Sequence, residues 1–300
     1  MFNKNNLIQN WLPPISNDQE LLKIKVNFFK NFENKTLKYM TLEYHDFITI
    51  FEKSVKENQS INILGLDSFV QKDVIVGCHH FIDELIMTYG LNNLQLFEGG
   101  YNYYKRLNPN IKYVTLDTLE PDRPLLLEYP FPRYLDEHPN YKEIIEKCNK
   151  LNINVYLDCA WLLSSFNLNL DLTQPCIKGM AMSLSKCFGL HWSRIGVRWL
   201  KDKTEDGIFL QNKNRMISYS NLMIGKYYLD RIPMNFLITK YQSMYYQICE
   251  DLSLHPGNVI LGAHSLDLTQ RYGFRDLFLK KINNAGRGQH GRERSLFNND

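Results

Sequence analysis

Three hundred residues, 44% hydrophobic and 22% charged, make an ordinary globular composition with enough chain for one large core and a smaller appendage. A net charge of +3, from 35 basic against 32 acidic side chains, is too balanced for a nucleic-acid-binding or anionic-membrane-binding surface. No run of about 18 apolar residues occurs, so no membrane span is expected. The opening "MFNKNNLIQNWLPP" has no apolar run, which predicts no secretory signal. Cys78, Cys148, Cys159, Cys176, Cys187 and Cys249 show no CxxC pair and no zinc-site spacing. They read as free thiols in a reducing compartment, so the expected location is cytoplasmic and no metal site is expected.

Residues 1–60 read as an arm and helices, with amphipathic helices over 18–33 and 43–57. From residue 61 to 202 short apolar runs alternate with helical or loop segments. The runs are "DVIVG" (73–77), "LQLFE" (94–98), "KYVTLD" (112–117), "PLLLEYP" (124–130), "NVYLDCA" (154–160), "GMAMSLS" (179–185) and "IGVRWL" (195–200). Several are apolar throughout, as in strands buried on both faces of a parallel sheet. "FIDELIMTYG" and "YKEIIEKCNKLN" are amphipathic helices between them. The predicted architecture is therefore α/β: a mostly parallel seven-stranded sheet flanked by helices. Residues 203–283 read as a reduced, mainly helical C-terminal subdomain, with aromatic-rich segments at 219–246. Residues 284–300 are polar, Gly-rich and locally basic, and read either as a disordered tail or as a nucleic-acid-binding arm.

In an open parallel sheet, ligands collect beyond the carboxyl ends of the strands. Three such ends carry unusual residues. In "VIVGCHHFIDEL" a strand runs into Gly77, and a helix begins at about Cys78 or His79. Its N-terminal N–H groups and dipole favour an anion, although Gly77 has an equally good steric reading and the histidines can be plain loop residues. In "VYLDCAW" Asp158 closes an apolar strand; it either meets a cationic or hydrogen-bonding partner or caps the next segment. In "MSLSKCFGLHWSRIG" Lys186 follows an apolar strand, with Ser183, Ser185 and Arg194 close by in sequence. A desolvated lysine amine there can attack a carbonyl, and the hydroxyls and guanidinium can hold a phosphate. The plain alternative is a lysine snorkelling from a strand end. An anion cradle, an acid and a reactive amine are together what pyridoxal phosphate needs.

On these residues the chain resembles the fold-type-I pyridoxal-phosphate enzymes, specifically the class I/II aminotransferases. "SLSKCFGLHWSRIG" looks like their lysine signature, Ser-x-Ser-Lys-x-x-Gly-Leu followed by Arg-x-Gly. The resemblance implies that Lys186 is the Schiff-base lysine and general base, and that Ser183 and Arg194 bind the cofactor phosphate. It implies that Asp158 pairs with the pyridine nitrogen, that Gly77, Cys78 and His79 open the phosphate-binding helix, and that Tyr101 of "FEGGYNYYKR" stacks on the ring. It covers residues 70–200 in order. Three departures stand out. Trp192 occupies a position usually small or polar. Trp161 stands where a tyrosine normally donates to the cofactor's phenolic oxygen. Tyr129 or Phe131 of "LEYPFPRY" replaces an asparagine that donates to the same oxygen. The chain is also shorter than most members, mainly in the C-terminal domain that normally carries the arginine for the substrate carboxylate. Arg271 and Arg275 are the nearest candidates.

The implied function is transfer of an amino group between an amino acid and a 2-oxo acid by a homodimer, in which the aromatic residues of 219–246, exposed on a monomer, would be covered. Another pyridoxal-phosphate reaction, decarboxylation or elimination, has the same fold. A non-catalytic binding or assembly protein keeping this fold is the third reading, which the lost donors and the short C-terminal region favour.

Overall fold

The apolar runs between residues 71 and 200 gather into one mixed sheet. The computed structural model describes residues 4, 7–9, 12–32, 43–275 and 278. In chain order the elements are β1 (Ile8–Gln9), α1 (Gln19–Lys30), α2 (Tyr44–Lys56), β2 (Ile61–Leu64), β3 (Gln71–Ile75), α3 (Cys78–Tyr89), α4 (Tyr103–Leu107), β4 (Leu125–Glu128) and α5 (Tyr141–Leu151). They continue with β5 (Val155–Asp158), β6 (Leu168–Asp171), β7 (Ile177–Ser183), α6 (Leu184–Cys187), β8 (Gly196–Leu200), α7 (Gly207–Lys213), α8 (Tyr219–Leu229), α9 (Phe236–Asp251), β9 (Gly262–His264) and β10 (Arg271–Gly273).

The main sheet has five strands in the order β3-β8-β7-β5-β4. β4, β5 and β7 are parallel, and β8 runs antiparallel to both β7 and β3. Every residue of β4 and β5 is buried, because helices cover both faces. Alternate residues feed two cores. Leu125, Leu127, Val155, Leu157, Met180 and Trp199 face the larger one, while Leu126, Tyr156 and Ala181 face the smaller one under α3 and α7.

The expected seven-stranded sheet is corrected to five. The runs at 94–98 and 112–117 lie beyond β4 but make single parallel bridges, Gln95 to Leu125 and Phe97 to Val114. Pro124, whose carbonyl accepts from Gln95 N–H at 2.8 Å, has no N–H with which to extend that pairing towards the start of the strand. Two smaller sheets complete the fold: β2 parallel to β6, and β1-β10-β9 antiparallel. The second lies in a region expected to be mainly helical; strands of two or three residues are too short to show a period. The segment 219–246 is also not an exposed aromatic surface. Tyr227, Tyr228, Tyr241 and Tyr245 are buried, and Tyr246 alone of its large hydrophobics is markedly exposed. The expected tail, 284–300, lies outside the described residues. Among the described residues no helix is long and apolar enough to cross a membrane.

Two buried polar clusters fix the layers. Arg198 of β8 pairs with Asp73 of β3 at 2.8 Å and with Asp206 at 2.6 Å. Asp206 caps α7 by accepting from Phe209 N–H at 2.9 Å, which seats that helix against the sheet. Asp18, fully buried, caps α1 and accepts from Lys240 at 2.7 Å and from the Tyr241 hydroxyl of α9.

Candidate active site

Four strands end at one edge of the sheet, and the site is built there. Register places Ile75 and Ser183 opposite Gly196, Ala181 opposite Asp158, and Asp158 opposite Glu128. A cavity of about 570 Å³ opens over these ends. Lys186, Asp158, Ser183, Arg194, Cys78, His79, Tyr101, Trp161 and Arg271 all line it. Gly77 does not, but lies directly beneath Arg194. Arg275 is not among the lining residues.

Lys186 sits in the single turn of α6, immediately after β7. Its Nζ donates to the Leu12 carbonyl at 3.2 Å. Burial, reinforced by the Arg194 charge, brings its pKa down to about 8. Asp158 is buried, and its Oδ1 accepts from Ala160 N–H at 3.0 Å. Burial raises its pKa to about 6, held from going higher by that N–H, the Cys78 thiol and Lys186.

Arg194 is pinned at the start of α3. Its Nε donates to the Val76 carbonyl at 3.2 Å, and its Nη2 lies 3.1 Å from His79 Nδ1. Since a guanidinium only donates, Nδ1 is the acceptor and His79 carries its proton on Nε2. That N–H donates to the Tyr101 hydroxyl oxygen at 2.9 Å. Burial, then the Arg194 charge, depresses the His79 pKa, which keeps this tautomer neutral. Tyr101 is thereby held edge-on to His79, and burial with the nearby Asp158 charge raises its phenol to about 12. Gly77 has φ +80, and a Cβ there would stand 2.8 Å from Arg194 Nη2, so this position needs glycine for both backbone and space. Ser183 is buried, and the buried Ser185 Oγ has no hydrogen-bond partner among the described residues.

The residues standing in place of the family asparagine do not reach the cavity. Tyr129 donates its hydroxyl to Asn169 O at 2.8 Å and Glu137 at 3.0 Å, and Phe131 is fully buried in the larger core. Pro130 and Pro132 line the cavity from that segment, and Arg271 donates to the Pro132 carbonyl at 2.8 Å. Sequence reasoning missed Leu12, Arg106, Glu128 and His191, which also line it. Glu128 carried a readable signal: it ends the run "LLLE" just as Asp158 ends "VYLD".

This arrangement has the fold of the fold-type-I enzymes, and the likeness is one of architecture. The chain superposes on the L-threonine-O-3-phosphate decarboxylase of Porphyromonas gingivalis with a TM-score of 0.54 and 14% identity, covering 88% of this chain and 97% of that one. The alanine aminotransferase of Pyrococcus furiosus gives a TM-score of 0.54 and 14% identity, over 85% of this chain and 73% of that one. A probable N-succinyldiaminopimelate aminotransferase of Thermus thermophilus gives 0.53 and 14%, over 84% and 76%. No protein-family profile and no curated protein matches the sequence.

Proposed function

We propose that this chain is a pyridoxal-phosphate-dependent enzyme acting on an amino acid, and that it transfers the amino group to a 2-oxo acid. The observation that carries this reading is the convergence of Lys186, Asp158 and Arg194 on one cavity at the strand ends. The residues fit the cofactor. The orphaned Ser185 Oγ, the buried Ser183 and the pinned Arg194 form a donor set for a phosphate beside the N-terminus of α3. Three of the solved structures it resembles are a decarboxylase and two aminotransferases, and another is a PLP-bound C–S lyase of Staphylococcus hominis.

When bound, pyridoxal phosphate supplies an aldehyde for amines and an electron-withdrawing ring. The chain's own residues supply the rest. Lys186 would hold the cofactor through Nζ and then carry a proton on that atom as general base. With a pKa near 8, about a tenth of its amine is unprotonated at pH 7, against roughly one part in 3,000 for an ordinary lysine. Asp158 would hold the proton of the ring nitrogen, and Tyr101 would cover a ring face. Arg271 would receive the substrate carboxylate, while Arg275 plays no part in the lining. We read the working unit as a homodimer in the cytoplasm, with Trp192, 80% exposed next to the cavity residue His191, as support for a covering partner. A monomeric mass in sedimentation of the loaded protein would remove that part.

The test is spectroscopic. Wild-type protein mixed with pyridoxal phosphate should turn yellow and form an adduct that borohydride reduces to a stable secondary amine, and before reduction the colour should shift on adding an amino acid. Lys186→Ala should form neither colour nor adduct. An adduct on the same peptide region in the variant would reject Lys186. Colour in the wild type that no amino acid shifts would favour the non-catalytic reading.

A further inference from the structure

Glu128 is the last residue of β4 and the in-register neighbour of Asp158 on β5. Paired residues on parallel strands share a face, so the two carboxyls stand side by side at the floor of the cavity that both line. Glu128 is only 4% exposed. Its Oε1 accepts from Tyr101 N–H at 2.8 Å. A Cβ on Gly100 would stand 2.8 Å from both of its oxygens, so the carboxyl is seated against that glycine. No cation is hydrogen-bonded or ion-paired to it among the described residues.

Two carboxylates placed together in a dry floor do not both stay charged, because each desolvated charge raises the cost of the other. The partners decide which one keeps the proton. Asp158 faces the cation Lys186 across the cavity and has a backbone donor in Ala160. Glu128 has a backbone donor and the Tyr104 phenol to favour its charge, but it is fully desolvated, faces Asp158 from β5 and has no cation opposite it among the described residues. From α3 the Cys78 thiol faces Asp158. Of the arginines that line the cavity, Arg194 and Arg106 act on the Tyr101 phenol, Arg194 also on Lys186, and Arg271 donates to the Pro132 carbonyl.

We propose that Glu128 is a positioning residue for Asp158: as the neutral member of a carboxyl pair it keeps the pair's one proton, so that Asp158 alone carries the negative charge at the cavity floor. The value for Asp158 of about 6 and for Glu128 of about 7, the latter raised by burial and by Asp158, agree with that order. Above the Glu128 titration the floor becomes doubly negative. The consequence for the cofactor rests on the reading given above: the second charge would tighten the hold on a protonated ring nitrogen as pH rises through 7.

The experiment is a carboxyl-carbon NMR titration of the full chain labelled in Glu and Asp, without and with pyridoxal phosphate, for the wild type, Glu128→Gln and Asp158→Asn. The wild type should show two upward-displaced carboxyl titrations. Glu128→Gln should delete the higher one and leave the Asp158 step in place, because Gln mimics the protonated acid. Asp158→Asn should move the Glu128 step to a pH lower by about one or more, since a like charge has gone. With cofactor, Glu128→Gln should remove from the affinity profile only the step near 7, leaving the steps that Asp158 and Lys186 contribute nearer 6 and 8. A Glu128 that titrates near the ordinary carboxylate value of about 4.5, or that Asp158→Asn leaves unmoved, overturns the proposal. The cofactor-free arm decides this even if pyridoxal phosphate never binds, whereas that failure would reject the functional reading alone. If Glu128→Gln does not fold, the Asp158→Asn arm and the wild-type titration still decide.

Discussion

Replacing Gly77 with alanine should damage anion binding by a route that can be separated from simple destabilisation. Gly77 caps α3 with φ +80 and ψ 167, a region open essentially to glycine alone, so a side chain there costs about 1–3 kcal/mol in the backbone. The new Cβ would also stand 2.8 Å from Arg194 Nη2 and 3.0 Å from Nε. The guanidinium can move, but only by giving up its bond to the Val76 carbonyl or its contact with His79. A charged hydrogen bond lost this way adds about 1.5–3 kcal/mol, giving a total near 2–4 kcal/mol after partial relaxation. A phosphate that depends on Arg194 should then bind roughly 10- to 100-fold more weakly. Gly90→Ala is the control. It has the same sign of φ, at +79, but its Cβ would meet only Asn93 Nδ2 at 3.6 Å. Urea denaturation and a pyridoxal-phosphate absorbance titration should show both variants destabilised and only Gly77→Ala weakened in binding. Equal affinity for the two variants would refute the placement of Arg194 as the anion donor.

Two further outcomes follow from buried charges. Lys186 has a folded-state pKa near 8 against about 10.5 unfolded, so the unfolded chain binds more protons between these values and stability should rise with pH across them. Cofactor-free Lys186→Met should therefore be about 3 kcal/mol more stable than wild type below pH 8, the advantage vanishing towards pH 10.5; a difference flat with pH in chemical denaturation would show the amine to be solvated. Asp73→Ala should cost about 3 kcal/mol by leaving Arg198, 1% exposed, with Asp206 as its remaining ion-pair partner, while leaving the affinity for pyridoxal phosphate unchanged. A loss under about 1 kcal/mol would mean that water replaces the carboxylate.

How far the sequence discloses this fold depends on what each residue reports. "VYLD" and "LLLE" are legible as buried strands because both faces of the sheet are covered and every position is apolar until the carboxylate. The runs at 94–98 and 112–117 look the same in composition, yet they pair through single bridges, and such edge effects have no periodic signature. The lysine and arginine of "SLSKCFGLHWSRIG" are legible from spacing, since a strand, one turn and the next strand fix their separation. Glu128 carries no motif of its own: it ends "LLLE" one residue before the "YPFP" that stands where the resemblance implies an amide donor. Whether Tyr227 or Tyr241 faces water is decided by α1 and α9 packing across the chain, which local sequence does not encode.

The position of Leu12 carries this point into the site itself. Its carbonyl accepts from Lys186 and it lines the cavity, and four residues on, the same segment packs against the loop after Lys186, where a Cβ on Gly189 would stand 2.7 Å from Ser16 Cα. That segment is held where it is by Asp18, which caps α1 and is tied to Lys240 and Tyr241 of α9. The environment that desolvates Lys186 therefore includes the N-terminal segment and, through Asp18, a helix more than 50 residues beyond the lysine in sequence. A lysine that follows two serines is a reagent only after those pieces close around it. The carbonyl bond at 3.2 Å is at the long end for N–H···O, so it orients the amine without holding it strongly and leaves Nζ able to turn to an aldehyde in the cavity.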